Sequence, residues 1–387
     1  MMQKVSIFYD ADYATMEGGG QKRLFEISKK INEEINSEIN WISFKFWDDG
    51  KSFSKDGINY YGFINRPSFY NKHGSRSSFE PILYLLNCLI CIPKYIKSNT
   101  FIIGQWPLLH VLPLIVLGLV FKKNIYIEWW ETLQSQWLKR GFLGKIGAFI
   151  ERLIIRTSTY VTFIVECNSE KELILKINKK AKVTIIENGV DLDSYKFNEN
   201  NKIYDFICLG RLVPQKNIDM VINAVGIIKD KGNDINLCIV GDGPCRKQLE
   251  LLIIRNNLES NITMTGFLEN DKDKINYIQK SKIGIIVQDG VGRGNVVINE
   301  LMAAGLPIIA AGTPNGIDPS YIIEGKNGYF LNTLDYNELA KLMNSMLVNK
   351  EDTESMSLYL KKNAYNLSWA KKLENYPVLG KKNNEKK

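Results

Sequence analysis

Glu300 lies in the stretch from Val287 to Ala311, VQDGVGRGNVVINELMAAGLPIIAA, where residue types and spacing could do chemistry. The apolar run Ile283 to Val287 enters a loop holding Gly290, Gly292 and Gly294. Val296 to Ala304 then has helical spacing, stopped by Gly305 and Pro307, and Ile308 to Ala311 is a second apolar run. Strand, glycine loop, helix and strand make one βαβ unit, and such units place ligands outside the carboxyl ends of their strands. Val296, Val297, Leu301 and Ala304 flank Glu300 at core-facing spacings, so its carboxylate is expected to be half-buried and in need of donors. Sugar hydroxyls would supply them, and the loop amides at the helix N-terminus would meet anionic or hydroxyl-rich ligand atoms. The competing reading is a Glu on an exposed stripe.

Other chemistry-bearing stretches lie in the first half of the chain. Gly18, Gly19 and Gly20 separate a predicted strand, Lys4 to Tyr9, from a helical pattern, and with Lys22 and Arg23 they are read either as a phosphate cradle or as a turn. The segment IEWWETLQSQW follows a strand, where Glu128, Trp129, Trp130, Glu131 and Trp137 would suit a sugar or lipid head group, or a domain interface. His73 and His110 are the only histidines. His110 sits in an apolar stretch just after Gln105 and Trp106, and is read as a packed residue near a cleft mouth. From Leu138 to Arg156 the pattern is amphipathic and basic, fitting either an anionic membrane face or an ordinary solvated surface.

These groups need elements to hold them. A chain of 387 residues exceeds a typical single core, so two domains are expected. The net charge of +8 favours an acidic partner without choosing among phosphates, membrane and nucleic acid. Six cysteines, mostly in apolar runs and without metal-type spacing, read as buried thiols in a reducing cytoplasm. Val5 to Tyr9 is too short for a targeting core, and Pro107 to Phe121, interrupted by Pro113, reads as a buried helix rather than a bilayer span. Strand and helix patterns alternate before and after the polar stretch Asn198 to Lys202, which predicts two Rossmann-like βαβ domains facing each other across a cleft. The expected limits are 1–195 for an acceptor-side domain, 196–365 for a donor-binding domain, 366–378 for a helix crossing back to the first domain, and 379–387 for a disordered basic tail.

Four stretches then coincide in order and spacing: LGRLVPQKNID from Leu209, IVGDGPCRKQLE from Ile239, the NELMAAGLPII helix with Glu300, and EGKNGYF from Glu324. With the NGVD turn at Asn188 and GGQKR at Gly19 to Arg23, they resemble the family 4 nucleotide-sugar glycosyltransferases of GT-B architecture. The resemblance implies an α/β fold of two Rossmann-like domains and a retaining sugar transfer from a UDP- or GDP-sugar to a glycan or lipid-linked acceptor, in cell-surface polysaccharide or glycolipid synthesis. Arg211 and Lys216, after Gly210, match the pair that holds the donor diphosphate, and Glu300 matches the ribose clamp. Leu268 matches the base-lining loop, Gly19 and Gly20 the glycines that close over the diphosphate. Arg293, Gly294, Asn295 and Val296 remain to touch the donor sugar. Trp106, His110, Trp130 and Glu131 are the acceptor-side candidates. The resemblance implies no metal and no cofactor, the two cations serving instead.

Two departures stand out. The family's other glutamate, eight residues before the clamp, is Gly292 here, and a histidine of its first domain is replaced by Trp130. They keep open a catalytically silent partner subunit, besides a GT-B epimerase. A nicotinamide dehydrogenase is disfavoured because Gly18 to Gly20 lacks the spaced glycine fingerprint. Nucleic acid has only the net charge in its favour. The expected site of action is the cytoplasm, with a peripheral contact to an anionic membrane.

Overall fold

The computed structural model describes residues 3–16, 18–67, 79–133, 137, 141–195, 202–290, 296–313 and 316–380. The chain forms two compact units, residues 1–187 with 373–387 and residues 188–372. Most of the polar stretch expected as a linker, and the tail from 381, lie outside the described residues.

The first unit is an eight-stranded sheet in the order β3-β4-β2-β1-β5-β6-β7-β8. Its strands are β1 (Lys4–Phe8), β2 (Glu38–Ile42), β3 (Ser52–Lys55), β4 (Ile58–Tyr61), β5 (Thr100–Gly104), β6 (Asn124–Glu128), β7 (Thr162–Val165) and β8 (Lys182–Ile185). All neighbours run parallel except β3 and β4, which form an antiparallel hairpin closed through Asp56 and Gly57, both at positive φ. The middle strands β1 and β5 are buried almost throughout, as a sheet covered on both faces requires. Because crossovers between parallel strands are right-handed, the helix Gly19–Ile35 between β1 and β2 covers one face. The helices Glu80–Ile90, Val111–Val120 and Gly141–Arg156, on connections running the other way along the sheet, cover the opposite face.

The second unit is a six-stranded parallel sheet in the order β11-β10-β9-β12-β13-β14. Its strands are β9 (Tyr204–Leu209), β10 (Leu237–Val240), β11 (Ile262–Gly266), β12 (Ser281–Gln288), β13 (Ile308–Gly312) and β14 (Gly328–Leu331). This is the doubly wound Rossmann order, with its switch point between β9 and β12. Alternate strand residues feed two cores. Phe206 and Cys208 join Val221, Val225 and Met343 on one face; Ile207 and Leu209 join Ile298, Leu301 and Ile278 on the other.

The expectation of a buried helix at Pro107 to Phe121 holds for one side only. A short 3-10 turn, Leu108–His110, leads into the helix Val111–Val120, whose Val116, Leu119 and Val120 face solvent. One side packs on the sheet, and among the described residues no further layer covers the other. The free cysteines are buried as expected, except the half-buried Cys245.

Candidate active site

In the second unit Gly210, Arg211, Lys216 and Gly241 lie at the carboxyl ends of β9 and β10. Gly210 leaves β9 at a φ of 138° and Gly241 leaves β10 at 137°. A Cβ on Gly241 would stand 2.0 Å from the Gly210 carbonyl oxygen, so the two loops approach as only glycine permits. Backbone bonds tie them: Leu212 N–H donates to the Asp242 carbonyl at 2.9 Å, and Cys245 N–H to the Leu212 carbonyl at 3.1 Å. Arg211 is exposed on this rim. Lys216, at the end of the turn Pro214–Lys216, lays its chain beside Gly210 and donates from Nζ to Gln288 Oε1 at 2.5 Å, at the carboxyl end of β12. Burial lowers the Lys216 pKa from its ordinary value, because few groups replace the water lost by the ammonium. An anionic ligand there would restore that stabilisation. Asp289 N–H donates to the Gln215 carbonyl at 2.9 Å, fixing the start of the next glycine loop against the same turn.

Glu300 lies on the helix Val296–Ala303 and is half-buried, as its apolar neighbours dictate. Its donors come partly from the chain itself: Lys274 Nζ lies 2.9 Å from Glu300 Oε1 and 2.9 Å from Asp271 Oδ1. Burial opposes the charge on Lys274, yet the Glu300 and Asp271 carboxylates hold its pKa above the ordinary value. Burial and the hydrogen-bonded Glu300 carboxylate together push the Tyr195 phenol above its usual range. Sequence reasoning missed both partners. Lys274 is 26 residues away on another helix, and no local spacing links it to Glu300. The neighbouring Asn299 is buried and donates to the Asn188 carbonyl at 2.8 Å, so the NGVD turn is held by the Glu300 helix. Gly189 has Trp369 against it, closer than any side chain would allow. Leu268 sits just after β11, half-buried against the core, beside an exposed Phe267. Val296 begins the Glu300 helix; Gly292, Arg293, Gly294 and Asn295 lie outside the described residues.

The first unit corrects several expectations. Arg23 does not serve a phosphate: it is buried, donating through Nε to Glu128 Oε2 at 2.6 Å and through a terminal nitrogen to the Ile186 carbonyl at 2.8 Å. Glu128 is thereby removed from any ligand crevice, its second oxygen accepting the Tyr376 hydroxyl at 2.9 Å. Trp129 is likewise core, its indole donating to Thr132 at 3.0 Å. His110 has no exposed surface. Its Nδ1 donates to the Pro107 carbonyl, its ring meets Tyr84 edge-on, and burial pushes its pKa down to about 4, so it is a packing residue.

Gly19 and Gly20 do open the helix Gly19–Ile35, with space around Gly19, while a Cβ at Gly20 would meet the Tyr9 hydroxyl at 2.9 Å and Trp130 at 3.3 Å. The buried Gln105 pins the turn at Trp130 and Glu131, accepting both their N–H groups at 2.9 and 3.1 Å and donating to the Glu131 carbonyl at 2.5 Å. Trp106 lies beside Trp137, ring centres 6.0 Å apart. Gly20, Tyr9, Gln105 and Trp130 thus converge at the carboxyl ends of β1 and β5, with Glu131 on the same turn.

A doubly wound second unit with cations and an acid near its switch point, and a first unit with a parallel sheet and a glycine-led helix, define a two-domain α/β protein of GT-B type. Residues 190–366 match the family model of glycosyl transferases group 1. An uncharacterized glycosyltransferase of Methanocaldococcus jannaschii is 29% identical over 195 residues, 50% of this chain and 52% of the relative. The chain spans about half the length of the curated relatives it matches first. Among solved structures, sucrose-phosphate synthase from Thermosynechococcus elongatus aligns over 96% of this chain and 97% of its own, at a TM-score of 0.76 and 15% identity. Anabaena HepE in complex with UDP aligns over 97% and 98%, at 0.72 and 15%. At that identity the likeness carries the fold: two Rossmann-like domains of the GT-B class.

Proposed function

We propose that the protein transfers a sugar, with retention, from a UDP- or GDP-sugar to a glycan or lipid-linked acceptor in cell-surface polysaccharide or glycolipid synthesis. The observation that carries this reading is Lys216, a poorly solvated cation on the switch-point side of β9, bonded to Gln288 at the end of β12. In the proposed site Lys216 and Arg211 hold the donor diphosphate and stabilise the charge that grows on it as the glycosidic bond breaks. They take the role a metal has elsewhere, and no cofactor enters. Glu300 takes the ribose hydroxyls, held in place by Lys274. The UDP bound by the similarly folded HepE supports uridine as the base.

The test is release of nucleoside diphosphate from a panel of UDP- and GDP-sugars. Lys216→Ala is expected to lower turnover by about 10²- to 10³-fold, the scale of removing one donor to transition-state charge. Wild-type turnover in that variant would end the assignment. The Lys274 contact also favours a second reading, because it already satisfies one Glu300 oxygen: a catalytically silent partner subunit. Such a protein would show no thermal shift with UDP or GDP.

A further inference from the structure

We infer that the helical layer on one face of the first unit is a docking surface for an anionic lipid bilayer. Three helices of that layer turn apolar stripes to solvent. Glu80–Ile90 exposes Ile82, Leu86, Leu89 and Ile90, spaced as one side of a helix. Val111–Val120 exposes Val116, Leu119 and Val120, the last to 69%, and Phe121 follows. Gly141–Arg156 exposes Phe142, Leu143, Ile146 and Phe149, with Phe142 at 77% and Phe149 at 67%. The three are neighbours: the turn Leu108–His110, continuous with the middle helix, touches both of the others. Single exposed apolar side chains are ordinary, but stripes on three adjacent helices form a patch that an isolated domain in water would bury.

The charge on this layer selects the partner. Lys94, Lys97, Lys122, Lys145, Arg152 and Arg156 are exposed around the stripes. The acids of the same stretches, Glu80, Glu128 and Glu151, are all buried. Exposed apolar stripes with exposed cations on the same stretches, and no exposed acid among the described residues 79–128 and 141–160, complement a surface with a hydrocarbon interior and an anionic rim. None of the described helices is long and apolar enough to cross a membrane, so the contact lies along the helix sides. The phenyl groups of Phe142 and Phe149 enter the acyl boundary, while Lys145 and Arg152 meet head-group phosphates.

Vesicle flotation tests this without reference to sugar transfer. The full chain is expected to float with vesicles containing phosphatidylglycerol at least tenfold more than with pure phosphatidylcholine, and to be released by salt. Phe142→Ser with Phe149→Ser should lower binding at least tenfold with an unchanged melting temperature, since neither ring is in the core. Lys145→Glu with Arg152→Glu should abolish the preference for anionic lipid. Failure of the full chain to float, or flotation of the phenylalanine variant like the unmodified protein, overturns the inference. So does a dimer in solution that the phenylalanine variant dissociates, which would assign the face to a second copy of the chain. Binding of UDP, measured on the same preparations, reports on the second unit, so loss of the sugar-transfer reading and loss of the bilayer reading are told apart.

Discussion

Glu151 enters the first unit from the helix Gly141–Arg156 almost wholly buried, with one carboxylate oxygen taking the Leu133 N–H at 2.7 Å. Burial pushes its pKa up to about 8; the Leu133 N–H pulls it down, while the Glu170 and Glu131 carboxylates add repulsion. The folded protein therefore holds a proton on Glu151 that the unfolded chain releases near the ordinary value of 4.5. Between those values the native state binds more protons than the unfolded one, so this contribution to stability is lost as pH rises, up to about 8. The melting temperature is expected to fall between about pH 5 and about pH 8, and to fall less in Glu151→Gln, whose amide needs no proton. Equal slopes for the two proteins would show that Glu151 ionises normally. The buried Arg23 and Glu128 pair makes the opposite kind of claim. Glu128→Gln takes from the buried guanidinium the carboxylate bonded to it and leaves Glu166 as the other acid acting on it, which is expected to cost about 3 kcal/mol in urea unfolding.

At the scale of elements, the loops after β9 and β10 behave as one piece. Gly241 has a φ of 137°, and a methyl group there would displace the Gly210 carbonyl. Gly241→Ala is expected to destabilise the fold by about 3 kcal/mol or more and to shift Arg211 off its rim position. Denaturant unfolding measures the first effect and UDP affinity the second. The helix Val296–Ala303 has two faces with separate tasks. Asn299 holds the turn at Asn188, whereas Glu300, one residue on, meets Lys274. Asn299→Ala should therefore lower stability by about 1–3 kcal/mol, the cost of removing a buried hydrogen bond.

At the scale of the molecule, the last described residues complete the first unit. The second unit ends with the helix Trp369–Lys372, and from Leu373 the chain belongs to the first. Tyr376 is fully buried there and donates to Glu128, which already holds Arg23. Tyr376→Phe removes that donor from a buried carboxylate, and scanning calorimetry is expected to show the first unit losing about 1–3 kcal/mol while the second is unchanged. A shift of both units together would mean that they unfold as one.

The sequence alone determined the fold and the neighbourhood of the second-unit site. Strand and helix periods, glycines that only a tight loop tolerates, and the order of four motifs are local properties, and local properties are written along the chain. Glu300 as half-buried and Lys216 at a loop end followed from immediate neighbours. Only the tertiary structure decided which partners the charged groups take. Arg23 reaches Glu128 across 105 positions, and Glu128 reaches Tyr376 across 248. Such pairings withdrew Arg23, Glu128 and His110 from the surface and gave Glu300 its lysine. The physical reason is that desolvation and hydrogen bonding depend on what the fold brings near, and sequence spacing does not record distances of that kind.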